Sequence, residues 1–149
     1  MRPMLFASLF AISIGGCAIA DDFETTPSSK SVTDTMDALV AAVEGAGATV
    51  FARVDHTAGA QSVGLDMTEA QLLIFGNPAL GTPVMQEDPR AGLVLPLRVL
   101  VYADRGGQTQ VLYEEVDEMV DEFDVDDDME ALQKIEGALE RLTAAAVAQ

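Results

Sequence analysis

Tryptophan is absent from the 149 residues, and cysteine and histidine occur once each. Cations are scarce: 8 Lys+Arg stand against 25 Asp+Glu, a formal net charge of −17. Each shortage excludes something. With Cys17 alone, no intramolecular disulfide can form. A chain processed beyond Cys17 has no thiol catalysis, zinc–thiolate site or iron–sulfur cluster. His56 has no second His or remaining Cys with which to complete a transition-metal shell. The shortage of cations excludes nucleic acid as a partner, because phosphate binding needs a basic surface and counterion release. It equally excludes adsorption to anionic headgroups by charge. Phosphate-cradling glycine loops and a G-x-S-x-G nucleophile elbow are missing. No cofactor is therefore implied.

What is present is globular. Hydrophobic residues make up 49% and charged residues 22%, which rules out wholesale disorder. The length suits one domain.

Residues 1–20 read as an export signal rather than as fold. Arg2 gives a positive start, Met4–Ile14 is apolar apart from two serines, and small residues follow. The apolar run is too short for a spanning helix, which needs about 20 residues. Two processing readings stand open. Ala18-Ile19-Ala20 is an A-x-A cleavage site that leaves Asp21 first. Ile14-Gly15-Gly16-Cys17 resembles a lipobox, with Cys17 as the lipidated first residue. The expected location is the periplasm, free or tethered to the membrane through Cys17 only.

Residues 21–30 read as a polar tether or a short first strand near Thr25–Lys30, and residues 31–149 as the domain. Ser31 or Thr33 caps a helix whose Met36, Leu39, Val40 and Val43 share one face, with Gly45 and Gly47 as its stop. Ala48–Asp55 reads as a strand, Thr57–Leu65 as a short helix or turn, and Ala70–Phe75 as a strand. Three of the six prolines, Pro78, Pro83 and Pro89, fall in Pro78–Gly92. That stretch reads as a loop with at most one helical turn. Leu97–Tyr102 and Gln110–Tyr113 read as a hairpin around Asp104–Gly107. An acidic segment, 114–130, precedes a helix with the stripe Leu132, Ile135, Leu139, Leu142, Ala146, whose start Asp126–Asp128 are expected to cap. The order β-α-β(4)-α predicts a single α+β domain, an antiparallel sheet with helices packed on one face.

Few residues invite chemistry. Asp124, Asp126 and Asp128 have the spacing of an EF-hand start, but Met129 and Ile135 stand where Gly and Glu belong, so no metal site is assigned. His56 beside Asp55 could hold a fixed tautomer. Phe75-Gly76-Asn77-Pro78, Gly81–Gln86 and Leu95–Arg98 bring rigid prolines, a turn-forming Asn and an apolar lining together, as a concave ligand site requires.

These segments carry a resemblance. Val54–Ala60, Ile74–Pro78 with Gly81–Gln86, and Ala91–Tyr102 resemble three ordered motifs of the domain of unknown function 302 family. The resemblance covers roughly Ser31–Tyr113. It implies a fold similar to the TATA-box-binding-protein architecture, β-α-β(4)-α, without implying DNA binding, which the charge contradicts. It also implies His56, Phe75, Asn77, Pro78, Met85, Pro96 and Arg98 as candidate ligand-binding residues. The chain departs from the family's pattern at Met67-Thr68-Glu69, where a Pro is usual. Three functions compete: an exported module that binds a small molecule, an enzyme using His56 as acid or base with Arg98 as anion partner, and an interaction domain that pairs as a homodimer through an edge strand.

Overall fold

The computed structural model describes residues 22–148; the signal segment, Cys17 and the Ala18–Ala20 site lie outside them. In chain order the elements are β1 (Phe23–Ser28), α1 (Val32–Gly45), β2 (Thr49–Asp55), α2 (His56–Ser62), β3 (Ala70–Gly76), α3 (Pro78–Glu87), a 3-10 turn (Pro89–Leu93), β4 (Leu97–Ala103), β5 (Thr109–Glu114), α4 (Val116–Val120) and α5 (Glu130–Val147). The strands form one antiparallel sheet in the order β1-β5-β4-β3-β2. This is the α+β domain expected from the sequence.

Alternation along the strands decides which face is covered. Leu73 and Phe75 in β3, Leu97, Val99 and Val101 in β4 and Val111 in β5 are buried. They point to one face, because side chains alternate with a period of two. Onto that face α1 lays Met36, Leu39 and Val43, all fully buried, and α5 lays Ile135, Leu139 and Ala146. Burying each large apolar side chain contributes about 1.5–3 kcal/mol. Ser31 caps α1 by accepting from the Asp34 amide at 3.0 Å. At its other end Gly47 takes φ +75°, a left-handed turn that favours glycine. Asp104 turns the β4–β5 hairpin by accepting from the Gly106 and Gln108 amides.

The structure decides one local reading and corrects two. Of the tether and the short strand read for residues 21–30, it has the strand: β1, Phe23–Ser28, pairs with β5 from Phe23↔Glu114 to Ser28↔Thr109. The proline-rich stretch holds a ten-residue helix, α3. Asn77 caps it, accepting from the Ala79 amide at 2.9 Å, and Pro78 occupies its first position, where no amide partner is needed. Helix-starting chemistry outweighed the count of prolines. Third, Asp126–Asp128 do not cap α5; Met129 holds the cap position with no side-chain bond. Asp126 closes a turn on the Asp128 amide instead.

Candidate functional site

The end of β3, the start of β4, α3 and one flank of α5 surround a cavity of about 440 Å³. Ala46 and Ala48 close it beside α1. Its floor is Phe75 and Leu97, which also belong to the core. The register places these two opposite each other. Phe51 reaches it from a bulge in β2, where pairing shifts between Val50 and Ala52. Close packing at Gly76 joins these parts: a Cβ there would lie 3.5 Å from both the Phe51 ring and Pro96. From α3 come Leu80, Gly81, Thr82 and Met85. The Met85 sulfur is positioned against Gly92, where an added Cβ would stand at 3.4 Å.

Of the residues singled out from the sequence, Phe75, Asn77, Pro78, Met85 and Pro96 line this one cavity. His56 and Arg98 do not. Arg98 alternates with buried Leu97 and Val99, so it points from the uncovered face of the sheet, 3.7 Å from Glu114. His56 is exposed at the start of α2, whose cap is Asp55. Asp55 pairs with Gln71, and Gln71 with Val101; Arg98 sits three residues further along β4. Three residues are about 10 Å of strand. The two share no cleft, which disfavours an acid–base role for His56 with Arg98 as its anion partner. Among the described residues no group of three or more His, Cys, Asp and Glu could hold a metal.

Sequence reasoning missed the contribution of α5. Lys134, Ile135, Ala138, Arg141 and Leu142 line the cavity. The missed signal was their spacing. Lys134, Ala138 and Arg141 recur at i, i+4, i+7, beside the buried stripe that was read as core only. Lys134 pairs with Glu130 at 2.7 Å and holds the Glu130 carboxyl below its ordinary value. Arg141 makes no ion pair among the described residues. Its guanidinium lies over Gly137, where an added Cβ would stand 3.1 Å from Nη1. Among the described residues no Asp or Glu lines the cavity, although the chain has 25 of them.

The other flank of α5 borders a second groove, of about 420 Å³, with the opposite chemistry. Glu24, Glu115, Asp117, Glu136 and Glu140 line it, and among the described residues no cation does. Glu115 is pushed above its ordinary value by burial and then by Asp117 and Glu24. Glu118 is pushed up by burial and then by Asp22 and Asp117. At the end of α3, Asp88 ties that helix to the acidic segment. It takes Arg90 side-on through both carboxylate oxygens and accepts from the Asp124 amide at 3.1 Å. These bonds, led by Arg90, hold Asp88 well below the usual carboxylate range.

Comparison with known proteins follows the same outline. The family model described as "Domain of unknown function DUF302" matches residues 24–142. The crystal structure of an uncharacterized conserved DUF302 protein from Bacillus stearothermophilus is similar, with a TM-score of 0.68 and 25% sequence identity, over 86% of this chain and 97% of that one. Proteins named fluoride-specific ion channel FluC 1, from Brucella suis biovar 1 (strain 1330) and Brucella abortus biovar 1 (strain 9-941), are 43% identical over 84 residues. That segment is 56% of this chain but only 33% and 31% of those proteins. Among the described residues no helix is long and apolar enough to cross a membrane.

Proposed function

We propose, on the premise that the chain belongs to the DUF302 family, that it is a binding module for a small molecule with an apolar body. The observation that carries this is the cavity of about 440 Å³ between β3, α3 and α5, within the size range of ligand sites. An apolar molecule released from water into it gains about 25 cal/mol per Å² of surface buried. The rim supplies hydrogen-bond donors to orient it. The Asn77 side-chain oxygen is taken by the Ala79 amide, which leaves its amide nitrogen as a donor on a residue that lines the cavity. Fluoride conduction belongs to the names of relatives of which this chain matches about a third, and the proposal does not extend to it.

The test is a native mass spectrum of the protein after export from a bacterial host. The expected result is a mass excess that disappears on denaturation. Ala138→Trp, which drives an indole into the cavity, should abolish the excess and give a blue-shifted emission from the chain's only tryptophan. A mass excess that survives in a folded Ala138→Trp protein places the ligand elsewhere and overturns the proposal.

We also propose export, on the order of Arg2, the apolar run Met4–Ile14 and the small residues that follow. The same spectrum separates a lipidated Cys17 start from a plain Asp21 start. Self-association is a second reading with its own observation. The β1 edge carries Pro27, which blunts strand pairing, whereas the β2 edge carries Phe51 and Val54, 55% and 36% exposed. Sedimentation at high concentration should show a dimer that a proline at Arg53 disperses; a strictly monomeric species contradicts it.

A further inference from the structure

We infer that the cavity takes an amphipathic monoanion, an apolar tail carrying one carboxylate-type head, with Arg141 and Lys134 receiving the head. The inference rests on the cavity reading above and adds the charge of the ligand. Three observations carry it. Two of the chain's eight basic residues line this single cavity. Among the described residues no acid lines it, although the chain has 25 acids, while the groove on the other flank of α5 is lined by acids alone among the described charged residues. Arg141 has no carboxylate partner among the described residues, and Gly137 leaves the space in which its guanidinium folds back.

The net charge of −17 opposes any anion at a distance. Close to the rim it does not decide. At physiological ionic strength, charges further than about 8 Å are largely screened. The charged side chains lining the rim are Arg141 and Lys134, the latter with its Glu130 partner, and Asn77 and Thr82 add neutral donors. Arginine presents a planar fork that suits a carboxylate, and its charge-assisted hydrogen bonds are stronger than neutral ones. Lys134 is partly neutralised by Glu130, so the rim offers little more than one net positive charge. That balance fits one negative charge better than two. The remaining lining is aliphatic and aromatic, which fits a medium-length alkyl or aryl tail.

Calorimetric titration of the full chain with decanoate, decanol and acetate tests this. Decanoate should bind about tenfold more tightly than decanol, and acetate should not bind measurably. Arg141→Gln should bring decanoate to the affinity of decanol, and Arg141→Lys should restore part of the difference. Both positions are exposed, so these variants fold. Equal binding of decanoate and decanol overturns the charge assignment and leaves the cavity reading standing. A decanoate preference that persists in Arg141→Gln/Lys134→Gln also overturns it. Failure of both ten-carbon probes overturns the cavity reading itself.

Discussion

The two flanks of α5 are built from one helix and differ in everything that faces outward. One flank presents Lys134, Ala138 and Arg141 to an apolar cavity; the other presents Glu136 and Glu140 to a carboxylate-lined groove. The grooves are of similar size, about 440 and 420 Å³. Volume therefore distinguishes nothing, and chemistry distinguishes them completely. On the acidic flank, burial first and neighbouring carboxylates second raise the proton affinity of Glu115 and Glu118. Such a groove is a self-repelling, well-hydrated surface. On the other flank, Phe75 and Leu97 sit at the base of an apolar hollow ringed by donors.

The largest way to break the comparison is to remove its floor. Phe75 is 1% exposed and serves both core and cavity. Phe75→Ala should cost about 3–5 kcal/mol in denaturant unfolding. A cost below about 1 kcal/mol would mean that the cavity region is not packed onto the core as described.

The next effect lies at the join between α3 and the acidic segment. Asp88→Asn removes the charge that Arg90 and the Asp124 amide share. Limited proteolysis should then cut within residues 121–129 sooner, and the melting temperature should fall by a few degrees. Unchanged cleavage would show that Asp88 does not hold this segment.

Acidity should act in opposite directions on two sets of carboxylates, the crowded ones of the acidic flank and the hydrogen-bonded Asp88 and Asp104. Glu115 and Glu118 bind protons more readily folded than unfolded, so lowering the pH from neutral toward their ordinary value of 4.5 should raise the melting temperature. Asp88 and Asp104 bind protons less readily folded. Their contribution is complete above the ordinary value of 3.8 and is lost as the pH falls below it. As the pH falls from 7, the predicted profile rises, peaks between the ordinary values of 4.5 and 3.8, and then falls. A monotonic fall from pH 7 would contradict the strain assigned to the acidic flank.

The smallest effect belongs to His56. It is exposed and outside the cavity, so His56→Ala should change stability by less than about 0.5 kcal/mol and leave decanoate affinity unaltered. A tenfold loss of affinity would return His56 to the site.

The fold was largely legible because its signals are local. The alternation in Leu97–Tyr102, the Asp104–Gly107 turn and the stripe Leu132–Ala146 each reported an element without reference to the rest. The helix α3 was not, because Pro83 inside Pro78–Glu87 argued against it while the Asn77 cap argued for it. Part of the cavity was legible as motif residues: Phe75, Asn77, Pro78, Met85 and Pro96. Another part comes from more than thirty residues later in the chain, on α5. There Lys134 and Arg141 look like any solvated helix charges until the fold brings them to the same rim. His56 and Arg98 were drawn in by residue chemistry and by their place in the family's motifs, neither of which says which face or end of a sheet a side chain occupies.

The most direct test is a methyl NMR titration of the labelled protein with decanoate. The account predicts saturating shifts at Leu80, Met85 and Ile135, which line the apolar cavity, and none at Val116 or Val147, which border the acidic groove. Shifts at Val116 and Val147, or at both sets alike, would contradict it.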